Sequence, residues 1–216
     1  KGIAKRCNKK ATFMAKPFPG IAGSGMHVHM SLLDKTGHNV FNDDSDLGSG
    51  MLKHAVAGIL ENMIDSTLIL APHFNSYKRL RPGTHAPTNI CWGYENRTAA
   101  VRIPGGNNTS KRIEHRVAGA EANPYLVLSA ILAGIHIGLI KQIKPSNFRI
   151  DNACTDLDPK MPTTVQKSID LFESSNFCKN YFSDEYVKIY SDLKKKELDT
   201  FYSEISDIEY KWYLNL

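Results

Sequence analysis

The prevailing spacing of the apolar residues changes near Asn123-Pro124, from mainly strand-like before it to helical throughout after it, and that change limits the possible folds more than any other feature. Before it, the stretches that carry charge alternate with apolar residues, as in Arg112-Ile-Glu-His-Arg116 and Val101-Arg102-Ile103. A period of two is that of a strand with one buried face. After it, the spacing is that of helices, expected over roughly 124–141, 164–175, 183–201 and 205–213. Asn123 suits an N-cap and Pro124 a first helical turn. Strands first and helices later, with no βαβ alternation, indicate an α+β fold. The chain reads as a mainly β part, 1–122, followed by a helical part, 123–216.

Within the first part, strands are expected at 11–18, 26–33 and 39–41, the last two joined by a hairpin turn at Asp34-Lys-Thr-Gly37. A helix capped by Ser49 should run to about Asp65, with a second helical piece over 67–73. Further strands are expected at 90–94, 99–104 and 112–117, arranged as an antiparallel set. Residues 144–162 read as irregular.

Charge is distributed unevenly. Residues 1–116 carry 16 Lys and Arg against 8 Asp and Glu, whereas 117–216 carry 11 against 14. Every histidine except His136 also lies in the first part. Four of the arginines sit among strand-like residues rather than in a basic tail, which favours a focused site for a small polyanion over a nucleic-acid surface. The four cysteines form no CxxC pair, so a zinc ribbon or dithiol site is not indicated. Reduced thiols and a cytoplasmic location are the simplest expectation. The apolar run 124–140 is at the short limit for a membrane span and is expected to be a core helix, with no membrane partner.

The candidate chemistry lies in two alternating stretches. In Gly23-Ser-Gly-Met-His-Val-His-Met-Ser31, a strand would put His27, His29 and Ser31 on one face. Such a set suits a metal or phosphate site, but it equally suits the wet face of a half-buried strand. In Arg112-Ile-Glu-His-Arg116, Arg112, Glu114 and Arg116 share a face. Guanidiniums beside a carboxylate keep it ionised, fit to bind a metal while they hold anionic oxygens, or they form a plain surface ladder. Arg97 and Arg102 add two cations, and Lys78, Arg79 and Arg81 form another cluster. Together these groups have the composition of a metal–nucleotide site. There is no P-loop and no strand–GxGxxG–helix unit, so any ATP site belongs to another kind of fold.

Four segments in order, Gly23 to Leu32, Asn75-Ser-Tyr-Lys-Arg-Leu80, Asn96-Arg-Thr-Ala-Ala-Val-Arg-Ile-Pro104, and Arg112 to Arg116 with Ala122-Asn-Pro-Tyr-Leu126, resemble the glutamine synthetase superfamily. The match is to the C-terminal half of its catalytic domain, of the glutamine synthetase/guanido kinase-like fold. The resemblance implies ATP and Mg2+ or Mn2+ as cofactors, and formation of a γ-glutamyl amide through a γ-glutamyl phosphate. It implies His27 and Glu114 as metal ligands, and His29 and Ser31 at the nucleotide. Gly23, Arg79 and Arg116 match positions that bind glutamate. Arg97 and Arg102 match arginines that face glutamate and the ATP phosphates, and Arg112 lies beside them.

Three departures stand out. The position of the glutamate that handles ammonium in ammonia-using members holds His85. Ala22 replaces an asparagine before the loop glycine. No tyrosine lies in the adenylylation context. Trp92-Gly-Tyr-Glu-Asn-Arg97, His85 and Arg112-Ile-Glu-His-Arg-Val-Ala-Gly119 most resemble the γ-glutamylpolyamine synthetase branch, so the second substrate is expected to be an amine or ammonia, with His85 in the catalytic set. The family's upstream acidic ligands are missing. The chain is therefore expected to be a piece of a longer, homo-oligomeric protein, and not to turn over alone. The alternative is an inactive relative with a regulatory or assembly role.

Overall fold

The computed structural model describes residues 1–216, Asn108 by its backbone alone. Four strands of three residues each, β1 (Val28–Met30), β2 (Trp92–Tyr94), β3 (Val101–Ile103) and β4 (Ile113–His115), form one sheet in the order β1-β4-β3-β2. Alternation gives the sheet two unlike faces. Trp92, Val101, Ile103 and Ile113 go to the core, and His115 is buried with them. His29, Glu114 and Arg102 stand in register side by side on the other face.

The sheet is mixed, not antiparallel throughout as the sequence suggests. β1 and β3 run antiparallel to β4, but β2 and β3 are parallel. Parallel neighbours normally need a long crossover. Here each strand spans only about 10 Å, so the loop 95–100 is long enough to return to the start. Glu95 makes the reversal in the left-handed region at φ +52°, and its N–H donates to the Ile103 carbonyl at 3.0 Å.

Most of 1–122 is loop and helix around these short strands. The segment 11–18 forms no strand, because its polar backbone groups are met elsewhere. Lys16 exchanges hydrogen bonds with the Asn75 side chain at 2.8 and 3.0 Å, and the Ala15 carbonyl accepts from Ser24 N–H at 2.8 Å. The 39–41 return strand reduces to one bridge, Leu33–Asn39, although the turn at 34–37 closes as expected, with Gly37 at φ +84°.

The helices are α1 (Gly2–Arg6), α2 (Gly50–Glu61), α3 (Thr67–Leu70), α4 (Pro124–Lys141), α5 (Val165–Ser174), α6 (Asn176–Phe182), α7 (Asp184–Ser203) and α8 (Asp207–Tyr213). Of these, α1 and α6 are not foreseen by the spacing. Ser49 and Asn123 cap α2 and α4 as expected, accepting from Leu52 N–H and from Tyr125 and Leu126 N–H. The long apolar α4 packs against α2, with Val127, Ala130, Ile131, Gly134 and Gly138 buried and Gly134 and Gly138 directly facing it. The two backbones touch there: a Cβ on Gly58 would overlap the Gly134 carbonyl oxygen and lie 2.6 Å from Gly138 Cα. By length and composition alone, α4 is the one helix among the described residues that could cross a membrane; in this fold its buried stripe is core.

Candidate active site

Glu114 is the centre of the sheet's polar face. Its side chain is only 3% exposed and would be costly to ionise there without partners. It has two. Arg102 Nη1 donates to Oε2 at 2.8 Å and Arg116 Nη1 to Oε1 at 2.6 Å. Burial alone would raise its pKa, but the bond from Arg102 and the charges of Arg116 and Arg102 outweigh it and hold Glu114 below the usual range. It is therefore an anion at neutral pH.

β1 brings both histidines of the HxH pair to this carboxylate. His27 Nδ1 lies 3.1 Å from Glu114 Oε1, and His29 Nε2 lies 3.8 Å from the same oxygen. Burial, then the Arg116 charge, lowers the His27 pKa, so the ring is neutral at pH 7 and its contact with Glu114 is not an ion pair. Arg116 Nη1 also approaches His27 Nδ1, at 3.3 Å. A neutral imidazole nitrogen and a carboxylate oxygen converging on one point are a donor pair for a divalent cation. On the opposite face His115 is fully buried, and burial pushes it down to about 3, so it brings no charge beneath the site.

The arginines differ in what they have free. Arg102 Nη2 is bound to Glu95 Oε2 at 2.5 Å, and Arg116 Nη2 to the Arg97 carbonyl at 2.7 Å. The Nε of each is buried and without a partner among the described residues. Orphaned guanidinium donors suit a site completed by an anionic ligand. Arg97 is exposed next to them and tied to the site by its carbonyl, while its guanidinium makes no hydrogen bond or ion pair among the described residues. Arg112 Nε donates to His29 Nδ1 at 3.3 Å. Ser31 is exposed just past β1.

Arg79 is placed differently. It is buried and spends Nη1 and Nη2 on the carbonyls of Val117 and Arg116, at 2.7 and 3.4 Å. This explains Gly25 and in part Gly23, neither of which has a positive φ. A Cβ on Gly25 would lie 2.7 Å from Arg79 Nη2; one on Gly23 would first overlap the Ala15 carbonyl oxygen, and then meet Arg79 Cγ at 3.0 Å. Gly25 makes room for the arginine, and Gly23 chiefly for the Ala15 backbone. His85 lies in an exposed loop at φ +59° and touches none of the cluster. Sequence reasoning missed Glu95. It reads there as a turn residue, and only its place just before the Asn-Arg pair marked it.

The arginines have the chemistry to hold phosphate oxygens, and the donor set fits a metal in part. His27 and Glu114 offer two ligands, and among the described residues no group of three or more His, Cys, Asp or Glu is arranged to hold an ion.

Comparison with known proteins agrees with this composition. Residues 1–213 match the sequence profile of the glutamine synthetase catalytic domain. The chain is 38% identical over 212 residues to the γ-glutamylputrescine synthetase of Escherichia coli, covering 98% of this chain and 45% of that protein. It is 37% identical over 210 residues to the γ-glutamylethanolamide synthetase of Streptomyces coelicolor, covering 97% and 45%. The solved structure of apo GmaS superposes with a TM-score of 0.88 at 28% identity, over 100% of this chain and 51% of that one. The chain thus spans about half the length of these relatives, and it belongs to the glutamine synthetase catalytic-domain family.

Proposed function

We propose that this chain supplies the nucleotide and glutamate side of an ATP-dependent ligase that joins glutamate to an amine. The observation that carries the reading is the Glu114 cluster: one buried carboxylate, two convergent histidines and arginines with unspent donors on a single sheet face. His27 and Glu114 would hold a divalent cation, Mg2+ or Mn2+, which when bound offsets charge on the ATP phosphates. His29 and Ser31 would border the nucleotide. Arg97 and Arg102 would hold oxygens of the phosphoryl group as it passes to the γ-carboxylate of glutamate, and Arg116 would face the glutamate carboxylates. Removing one such donor typically slows the chemical step by about a hundredfold or more. Arg79, which gives one N–H each of Nη1 and Nη2 to the Val117 and Arg116 carbonyls, would face a glutamate carboxylate with its remaining donors.

Two features support an amine as the second substrate. The E. coli and Streptomyces relatives are named for γ-glutamyl products of putrescine and ethanolamine. His85 stands where a carboxylate would be, and an imidazole, which carries no negative charge, draws ammonium less than a carboxylate does. Assembly into a homo-oligomer is supported by α8, which buries nothing and exposes Ile208, Trp212 and Tyr213.

The test is equilibrium binding of ATP to the chain with and without Mn2+, in the natural sequence and in Glu114→Ala. Saturable binding that strengthens with Mn2+ and loses that dependence in the variant is expected. ATP binding indifferent to both Mn2+ and the substitution would overturn the reading.

A further inference from the structure

The core face of β4 carries one polar side chain that the cluster around Glu114 does not use. His115 is fully buried among apolar residues, and its Nδ1 has no hydrogen-bond partner among the described residues. An unpaired ring nitrogen in an apolar core is costly, and native proteins meet such groups with other protein atoms or with ordered water. His115 lines a cavity of about 10 Å3 together with Asn62 and Ser66, and apolar side chains such as Ile59, Leu70 and Ile131 close the rest. No residue around it is more than 9% exposed. About 10 Å3 is the least that holds one water, and it excludes any larger ligand.

The two polar neighbours have bonding capacity in hand. Ser66 Oγ donates its hydrogen to the Asn62 carbonyl at 2.8 Å, which uses none of its lone pairs. Asn62 Nδ2 gives one N–H to the Gly58 carbonyl at 2.9 Å and carries a second. With His115 Nδ1 these make three polar groups around a space of one water, whereas a cavity lined only by apolar groups stays dry. We propose that this cavity binds one structural water, which bridges His115 Nδ1 to Ser66 and Asn62. The water can donate to a bare ring nitrogen or accept from a ring N–H, so the site suits either tautomer. Asn62 is the C-cap of α2 and Ser66 immediately precedes α3, so the bridge ties β4 to the turn between those helices. It anchors from behind the strand whose other face presents Glu114 and Arg116. The inference is independent of the ligase reading, because it concerns only the core face of β4.

The test begins with a crystal structure of the natural chain at a resolution that shows ordered water. The expected result is one water peak within about 2.7–3.2 Å of His115 Nδ1 and of a polar atom of Ser66 or Asn62. A dry cavity would overturn the proposal. So would a water that touches Ser66 or Asn62 but not His115, or a protein atom bonded directly to Nδ1. Urea unfolding of the natural sequence, His115→Leu, Ser66→Ala and the double variant then tests the bridge. Each single substitution should lower the urea midpoint, and the double variant should fall by clearly less than the sum of the two shifts, because either change alone breaks the bridge. Additive shifts would mean that the two residues are not linked, and would overturn the bridging role. If a variant does not fold, the position of the peak in the natural chain decides alone.

Discussion

Glu114→Gln changes one atom and keeps the volume of the side chain, so it opens no cavity. It removes the charge that two arginines share. Glu114, Arg116 and Arg102 side chains are 3%, 9% and 11% exposed, so neither guanidinium can turn freely to water. One oxygen becomes an NH2 group that faces a guanidinium donor. Breaking a buried ion pair by removing one partner costs about 3–5 kcal/mol. The lower end applies, because Arg102 keeps Glu95 and Arg116 keeps the Arg97 carbonyl. About 3 kcal/mol in a chain of this size lowers Tm by roughly 6–12 °C. The assay is thermal unfolding followed by circular dichroism at low and high salt. Buried pairs are poorly screened, so the loss should persist at high salt. A fall of less than about 2 °C, or one that vanishes with salt, would refute the buried cluster and leave an ordinary surface ladder.

Three further outcomes are expected. Gly58→Ala should destabilise the fold by about 2–3 kcal/mol, seen as a lower urea midpoint, because the added methyl meets the α4 backbone rather than a side chain that can yield. With a thiol reagent at neutral pH, exposed Cys7 should react first, whereas Cys178, which burial pushes up to about 12, should react only after unfolding. In the active enzyme, His85→Glu should raise kcat/KM for ammonia relative to a primary amine on the order of tenfold, about 1.4 kcal/mol, and an unchanged ratio would remove His85 as the discriminator.

Much of the site is legible in the sequence because it lies on alternating strands. Once Arg112 to Arg116 and Met26 to Leu33 are read with a period of two, Glu114 and the two histidines must face the same way, and register brings them together. The starts of α2 and α4 are equally legible, since capping is a local contact between neighbours in sequence. What escapes is non-local. The segment 11–18 has the look of a strand but satisfies its backbone on Asn75, some 59 residues away. The parallel pairing of β2 and β3 depends on how short the strands are, which alternation does not report. Arg79 carries the charge of a ligand-binding residue, yet the carbonyls of Val117 and Arg116 claim it. Glu95 has no pattern of its own and gains its meaning from the turn that points it at Arg102.

The central claim is that a divalent cation and a nucleotide meet at His27 and Glu114. A crystal structure of the chain with Mn2+ and a non-hydrolysable ATP analogue tests it most directly, through the anomalous signal of the metal. The expected result is a manganese peak within coordination distance, about 2 Å, of a His27 ring nitrogen and a Glu114 oxygen, with Arg97 or Arg102 on the phosphates. Manganese at another place, with Glu114 still held by both Arg102 and Arg116 and the nucleotide away from the sheet's polar face, would contradict it.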